Sequence, residues 1–330
     1  MRFILFNDPH IRGNAPQNRK DNFVDTLKNK ISEVVKIAKE YKADYFLCGG
    51  DIFDTPIPSM GAAGEIMGCL LSAGIPVYTV AGNHDFYAAN TVTLTRTLLG
   101  YSAALDKVKL LNQNPIILHK DNVTVQLSGQ PYHDEIDTEG RDPKLDYCVS
   151  KSPDCHAAIH IVHGMLMDKP DFPGDVTLIK NVIDTEADIT ITGHNHIGYG
   201  IQYINNRYFI NPGSLVRLSN HNADISRPVG VVFIEVEPDH INCDFKEMET
   251  ALPGEDVLDR SKIAEVIAME RKLQTFTQEL VKSTDMNRVD VTTIIKQAVT
   301  DSEETESVLK EALRRIAIAE ENLAQKGGVA

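Results

Sequence analysis

The sequence predicts a layered α/β fold: two mixed β-sheets packed as a sandwich, flanked by helices and followed by a C-terminal helical tail. Three observations carry this. Up to about residue 85, short apolar runs alternate with helix-patterned stretches, as expected of parallel strands covered by helices. From about residue 115 to 245, apolar runs follow one another with turn residues between them, a more antiparallel texture. Near residue 250 the breaker Leu252-Pro253-Gly254 opens a charged, helix-prone stretch.

The elements follow in order. Phe3 to Phe6 reads as the first strand, and Asp8-Pro9-His10 leaves its end. Residues two apart in an extended segment can point the same way, so Asp8 and His10 can face one ion. Arg12 to Lys20 is a polar loop. Asp21 or Asn22 can cap a helix whose face is Phe23, Leu27, Ile31, Val34, Val35 and Ala38. Tyr45 to Cys48 is a buried strand, and Gly49-Gly50 turns the chain so that Asp51 stands at its carboxyl end, where open α/β sheets place their ligands. Met60 to Ala73 is a second helix ended by Gly74. Ile75 to Val80 is a third strand, with Gly82-Asn83-His84-Asp85 at its end.

Further on, Ile116 to Leu118 and Val123 to Leu127 read as strands joined at Lys120-Asp121-Asn122. Residues 134 to 156 read as a polar surface excursion. Ile159 to Val162 ends in His163-Gly164, and Asp188 to Thr192 ends in Gly193-His194-Asn195-His196. Tyr203 to Ile210 resembles a hairpin around Asn205-Asn206. Asn211-Pro212-Gly213-Ser214 is a turn, and Val229 to Val236 with Ile241 to Phe245 closes the sheet region. Residues 1–250 are therefore expected to form one α/β domain and 251–330 a helical tail. The tail carries an apolar stripe of Val308, Leu309, Ala312, Leu313, Ile316, Ala319 and Leu323.

The chain has 330 residues, of which 42% are hydrophobic, enough for a substantial core. No apolar run reaches the roughly 18 residues of a membrane span. Met1 leads directly into a strand with no apolar leader, so a cytoplasmic location in a bacterial or phage-infected cell is expected. The five cysteines include no C-x-x-C pair and read as buried free thiols. A net charge of -14 excludes coating nucleic acid by bulk charge, but not a nucleic-acid enzyme, because bound cations reverse the local sign.

Each motif alone is weak; the set is not. Two clustered carboxylates repel unless cations lie between them. Mixed imidazole and oxygen donors suit manganese, iron or zinc better than magnesium or calcium. Two such ions can clamp the attacking and leaving oxygens of a phosphoryl displacement. The other histidines have plainer readings: His160 as core, His119, His156, His221 and His240 as surface, and His133 as a residue that could border the cleft.

In order across residues 1 to about 245, these blocks resemble the calcineurin-like metallophosphoesterases. The resemblance implies one metal held by Asp8, His10, Asp51 and His196 and a second held by Asp51, Asn83, His163 and His194. It implies a catalytic His84, with Asp54 orienting it. Gly49 to Asp54 followed by Pro56, Pro58 and Ser59, with Asn211 to Ser214 and Arg217, is similar to the SbcD family of DNA-repair nuclease subunits, in a short, phage-like form. That resemblance implies a two-metal DNA phosphodiesterase using manganese, or alternatively iron or zinc. It also implies a coiled-coil ATPase partner of the SbcC type docked on the tail, and it admits a homodimer. Arg12, Arg19, Lys20 and Arg217 are candidate DNA contacts because they follow cleft motifs. Two alternatives stand beside this reading: a phosphodiesterase of small nucleotides or phosphoesters, and a non-catalytic metal-binding subunit of an ATPase complex. No membrane partner is expected.

Overall fold

A computed structural model describes residues 1–170, 174–219 and 221–259. The expected tail therefore lies, from residue 260 onward, outside the described residues. The first sheet contains β1 (Arg2–Phe6), β2 (Tyr45–Cys48), β3 (Val77–Thr79) and β4 (Lys109–Leu110). The second begins with the hairpin β5 (Ile116–Lys120) and β6 (Val123–Gln130), followed by β7 (Ala157–Val162). A small parallel pair comes next, β8 (Leu166–Met167) with β9 (Thr177–Leu178), which the sequence pattern does not announce. Then come β10 (Ile189–Thr192), β11 (Gly200–Ile204) and β12 (Arg207–Asn211), and finally β13 (Gly230–Val236) and β14 (Ile241–Glu247).

The strands form two six-stranded mixed sheets, ordered β14-β13-β1-β2-β3-β4 and β11-β12-β10-β7-β6-β5. The expected sandwich is present. Strand alternation explains it: Phe3 and Leu5 of β1 pack with Ile159, Ile161, Ile189 and Ile191 in the layer between the sheets. Ile4 and Phe6 point the other way, onto α1 (Phe23–Tyr41) and α2 (Met60–Leu71). All six residues of the expected α1 face are buried. Asn22 rather than Asp21 caps this helix, because Asp21 is occupied by Arg19 and Thr26. The hairpin at Asn205-Asn206 is also as expected, with both residues at positive φ, which a type I′ turn requires.

One expectation needs correction. The stretch from 134 to 156 is no mere surface excursion. Ile136 and Tyr147 are buried under the outer face of the second sheet with Val162 and Phe209. Tyr147 Oη donates to Asp137 Oδ1 (2.7 Å), and Asp137 Oδ2 accepts from Met165 N (2.6 Å). Polar composition hid this because few apolar anchors are enough when a buried hydrogen bond completes them. Residues 251–259 are likewise fastened to the body: Asp259 N donates to Asn18 O (2.7 Å) and Leu258 is buried. Among the described residues no helix is long and apolar enough to cross a membrane.

The excursion's docking predicts an asymmetry in stability. Tyr147→Phe, which leaves the Asp137 carboxylate short of a donor, should cost about 1–3 kcal/mol in urea unfolding. Leu145→Ala, at an exposed neighbour, should stay within about 0.5 kcal/mol.

Candidate metal centre

The site forms where the carboxyl ends of β1, β2, β3, β7 and β10 meet. The chain leaves these ends sharply: Asp8, His10, Asp51 and His194 all have φ between 44° and 71°, which side-chain-bearing residues rarely adopt. Such strain persists only where surroundings over-determine it, and it clusters at functional sites. Two glycines permit the close approach. A Cβ on Gly82 would lie 2.1 Å from Asp51 Oδ1, and one on Gly50, itself at φ 112°, would lie 2.3 Å from His163 Nδ1.

Several braces went unnoticed in the sequence. Asn7 Nδ2 donates to Thr192 O (2.7 Å) and Asn7 Oδ1 accepts from Gly49 N (2.9 Å), so one buried amide ties three strand ends together. Asp85 accepts from Gly82 N (2.9 Å) and Phe53 N (3.3 Å), closing the loop that carries Asn83 and His84. Burial and the nearby Asp51 push the Asp85 carboxyl up to about 7. The Asn211 to Ser214 turn acts as a bracket: Ser214 Oγ donates to Asp8 O (2.7 Å) and Ser214 N to His196 O (3.0 Å). A polar residue just outside a strand was the only available signal for any of these.

The sequence-derived residues converge. Donor atoms of Asp8, His10, Asp51 and His196 lie within 4.8 Å of one another, as do those of Asp51, His163 and His194. Asp51 is common to both groups. Asn83 Oδ1 sits 3.1 Å from His163 Nε2 and so adjoins the second. What they face is mostly one another's lone pairs. His163 Nδ1 donates to Gly49 O (2.7 Å), and its Nε2 is turned toward Asn83 Oδ1 and Asp51 Oδ2 (3.4 Å). His10 Nε2 and His196 Nε2 are 3.0 Å apart. Asp8 and Asp51 each give one oxygen to a backbone N–H, of His194 (3.2 Å) and His84 (2.9 Å) respectively. Their other oxygens are buried without a partner. A convergence of buried acceptors lacking donors fits divalent cations.

The metal-free electrostatics point the same way. Burial and Asp51 push Asp8 up to about 6, against the pull of His163. Burial opposes ionisation of Asp51, but His163 and His10 outweigh it and hold this carboxyl low. Burial likewise disfavours a charged His163, yet Asp51 and Asp8 raise it to about 9. Burial and its histidine neighbours lower His194 to about 4 and push His196 well down. Without cations, a proton shared around His163 must balance Asp51.

His84 and Asp54 are adjacent, but not as expected. His84 Nδ1 meets the backbone carbonyl of Asp54 (2.8 Å), so it carries the proton, and Nε2 is left without a protein partner. The Asp54 carboxylate instead faces Arg12 Nη1 (3.1 Å) and His10 Nδ1 (3.5 Å). Burial opposes its ionisation, and His10 and Arg12 prevail and lower its pKa. Asp54 thus orients His84 through its main chain and His10 through its side chain. His10, Asp54 and His84 form a third close group, but the Arg12 guanidinium already supplies a cation there.

The four expected DNA contacts separate. Arg12 stands at the edge of the centre. Lys20 Nζ is exposed and reaches Glu255 O (3.2 Å). Arg19 is bound to Asp21 and to Arg217 O, and Arg217 donates to the carbonyls of Asp224, Leu252 and Arg227. Buried donors committed to the interior cannot meet a phosphate, and following a cleft motif in sequence gave no warning of it. His133 pairs with Asp146 (3.0 Å), and His160 is core, as read. Tyr132, not singled out from sequence, lies with its ring centroid 5.8 Å from that of His194.

A family model described as calcineurin-like phosphoesterase matches residues 1–198. Among solved structures, a dimetal phosphatase from Danio rerio is 13% identical, with a TM-score of 0.47, over 75% of this chain and 96% of that one. TT1561 of Thermus thermophilus is 9% identical, with a TM-score of 0.42, over 74% and 98%. The E. coli phosphoesterase YfcE is 13% identical, with a TM-score of 0.34, over 71% and 88%. No curated protein matches.

The charge balance predicts proton-coupled metal binding. A His163 raised to about 9 must lose its proton to bind a cation, so manganese affinity should climb between pH 6 and pH 9, by up to about tenfold per pH unit for each proton displaced. Calorimetry in buffers of different ionisation enthalpy should detect net proton release at pH 7; affinity independent of pH would contradict the charge balance.

Proposed function

The chain belongs to the calcineurin-like phosphoesterase family, and from that premise we propose that it is a two-metal DNA phosphodiesterase, the nuclease subunit of an SbcCD-type repair complex. The chain is thus a metal-dependent hydrolase of phosphoesters. What carries the two-metal reading is the shared Asp51, buried with an unpartnered oxygen between two sets of histidines. Asp8, His10, Asp51 and His196 would hold one ion, and Asp51, Asn83, His163 and His194 the other. Manganese fits this donor set first, iron or zinc next. Bound there, the two cations supply electrophilic polarisation of the phosphoryl group and a lowered pKa for attacking water.

The chain's own side chains supply the rest. In the hydrolysis, water oxygen bonds to phosphorus and releases a proton, the bond from phosphorus to the leaving oxygen breaks, and that oxygen takes up a proton in its place. His84 is placed to serve that oxygen: its Nδ1–H is held by Asp54 O, which fixes the ring while Nε2 stays available. The His84 backbone N–H holds Asp51 Oδ1, so loop and carboxylate are set in one geometry. Arg12, steadied by Asp54, can neutralise a non-bridging oxygen.

DNA as substrate rests on the SbcD-like run from Gly49 to Ser59. One observation favours the alternative of a small nucleotide or phosphoester: Arg19 and Arg217 are committed to the interior, which shortens any basic track. The coiled-coil ATPase partner rests on the apolar stripe of the tail, outside the described residues.

Asp51→Asn, or removal of bound ions, should abolish hydrolysis of DNA in manganese. His84→Ala should lower kcat by about 10²–10⁴-fold while bound metal is retained; biological activity untouched by that substitution would favour the non-catalytic subunit. Strong turnover of bis-p-nitrophenyl phosphate with DNA left intact would assign the enzyme to small phosphoesters.

A further inference from the structure

Behind the centre, three consecutive backbone carbonyls are each held by a different buried cation. Lys30 Nζ of α1 donates to Leu215 O (2.8 Å), Arg227 Nη2 to Val216 O (2.8 Å) and Arg19 Nη1 to Arg217 O (3.0 Å). Lys30 and Arg227 are buried, and the Arg19 side chain is 1% exposed. Asp21 pairs with Arg19 and Asp224 with Arg227, each at 2.6 Å. Among the described residues Lys30 has no ion-pair partner, and burial with three neighbouring guanidinium groups lowers it to about 7.

The segment these cations hold leads directly out of the bracket that fastens one half of the centre. Ser214 binds the carbonyls of Asp8 and His196, and Leu215 N donates to Asn7 O (2.7 Å). Asp8 and His196 belong to the same group of four. The other group has fastenings of its own, His163 on Gly49 O and Asn83 in the loop that Asp85 closes. Buried cations are a poor means of general stabilisation, since apolar replacements of similar volume are often neutral or better. Fixing three successive carbonyls is a geometric task that apolar side chains cannot perform.

We propose that Lys30, Arg19 and Arg227 are positioning residues for one ion of the pair, the one held by Asp8, His10, Asp51 and His196, and act through the carbonyls of residues 215–217. The inference rests on the two-metal reading and assigns the cluster to one half of it.

Calorimetric titration of the full chain with manganese tests both, separably. If the unaltered chain does not take up two ions, the two-metal reading fails. If it does, Lys30→Met, Arg19→Met and Arg227→Met should each weaken one ion by about tenfold and leave the other unchanged, as outer-sphere changes do. Lys36→Met, at an exposed position of the same helix, should change neither. The weakening should persist when combined with His194→Ala and vanish with His196→Ala. Folded variants that keep both ions at full affinity, or weaken both equally, overturn the inference. It is also overturned if none of the three variants folds, because the cluster would then serve the whole fold.

Discussion

The centre depends on one constraint: Asp51, fully buried, must be balanced by positive charge. Removing an ionised carboxylate from water costs several kcal/mol that protein hydrogen bonds recover only in part. Here one oxygen takes a single backbone N–H and the other takes none. The nearest groups able to compensate are histidines: ring nitrogens of His10, His163, His194 and His196 lie within 4.8 Å of its carboxylate. Either a proton or a cation must occupy that space. With two carboxylates, an amide oxygen and several imidazoles converging, cations resolve more of the conflict than one proton can.

That constraint explains why the strand ends are strained. For acceptors to face each other, the chain must turn within one or two residues of each strand, which puts Asp8, His10, Asp51 and His194 in left-handed conformations. The braces then make the strain tolerable. Asn7 joins three strand ends, Asp85 closes the loop after β3, and Ser214 ties Asp8 to His196. These residues are buried, yet the placement of the candidate ligands depends on them.

The sandwich and the ligand set were legible in sequence for a physical reason. A strand covered on both faces is a short apolar run, and a ligand at its end is a polar residue immediately after it, so Asp8, Asp51, Asn83, His163 and His194 each announce themselves. Side-chain direction is not legible in this way. Asp54 stands three residues after Asp51, but only the fold reveals that its carbonyl, and not its carboxylate, meets His84. The excursion from 134 to 156 misled because its composition is polar, while its docking needs only Ile136, Tyr147 and one carboxylate. Asn7 was invisible for the opposite reason: an asparagine beside a ligand looks like any loop residue.

The fate of the basic residues follows from the same need for rigidity. The chain sets 33 Lys and Arg against 47 Asp and Glu, and two of the four basic residues that follow cleft motifs, Arg19 and Arg217, are committed to its interior. Arg19, Arg217, Arg227 and Lys30 bind backbone carbonyls, where they fix loops instead of attracting phosphates. Arg12 alone of the expected contacts stays beside the centre, and even it is tied to Asp54. On the proposed two-metal reading, attraction of a phosphoester would come mainly from the cations held around Asp51 and not from a surface track. If the substrate is DNA, as proposed, recognition concentrated at one phosphate would discriminate little between base sequences, because phosphate contacts position a strand without reading it. On that reading, the carboxylate that calls for cations is also what lets a strongly acidic protein engage an anionic substrate.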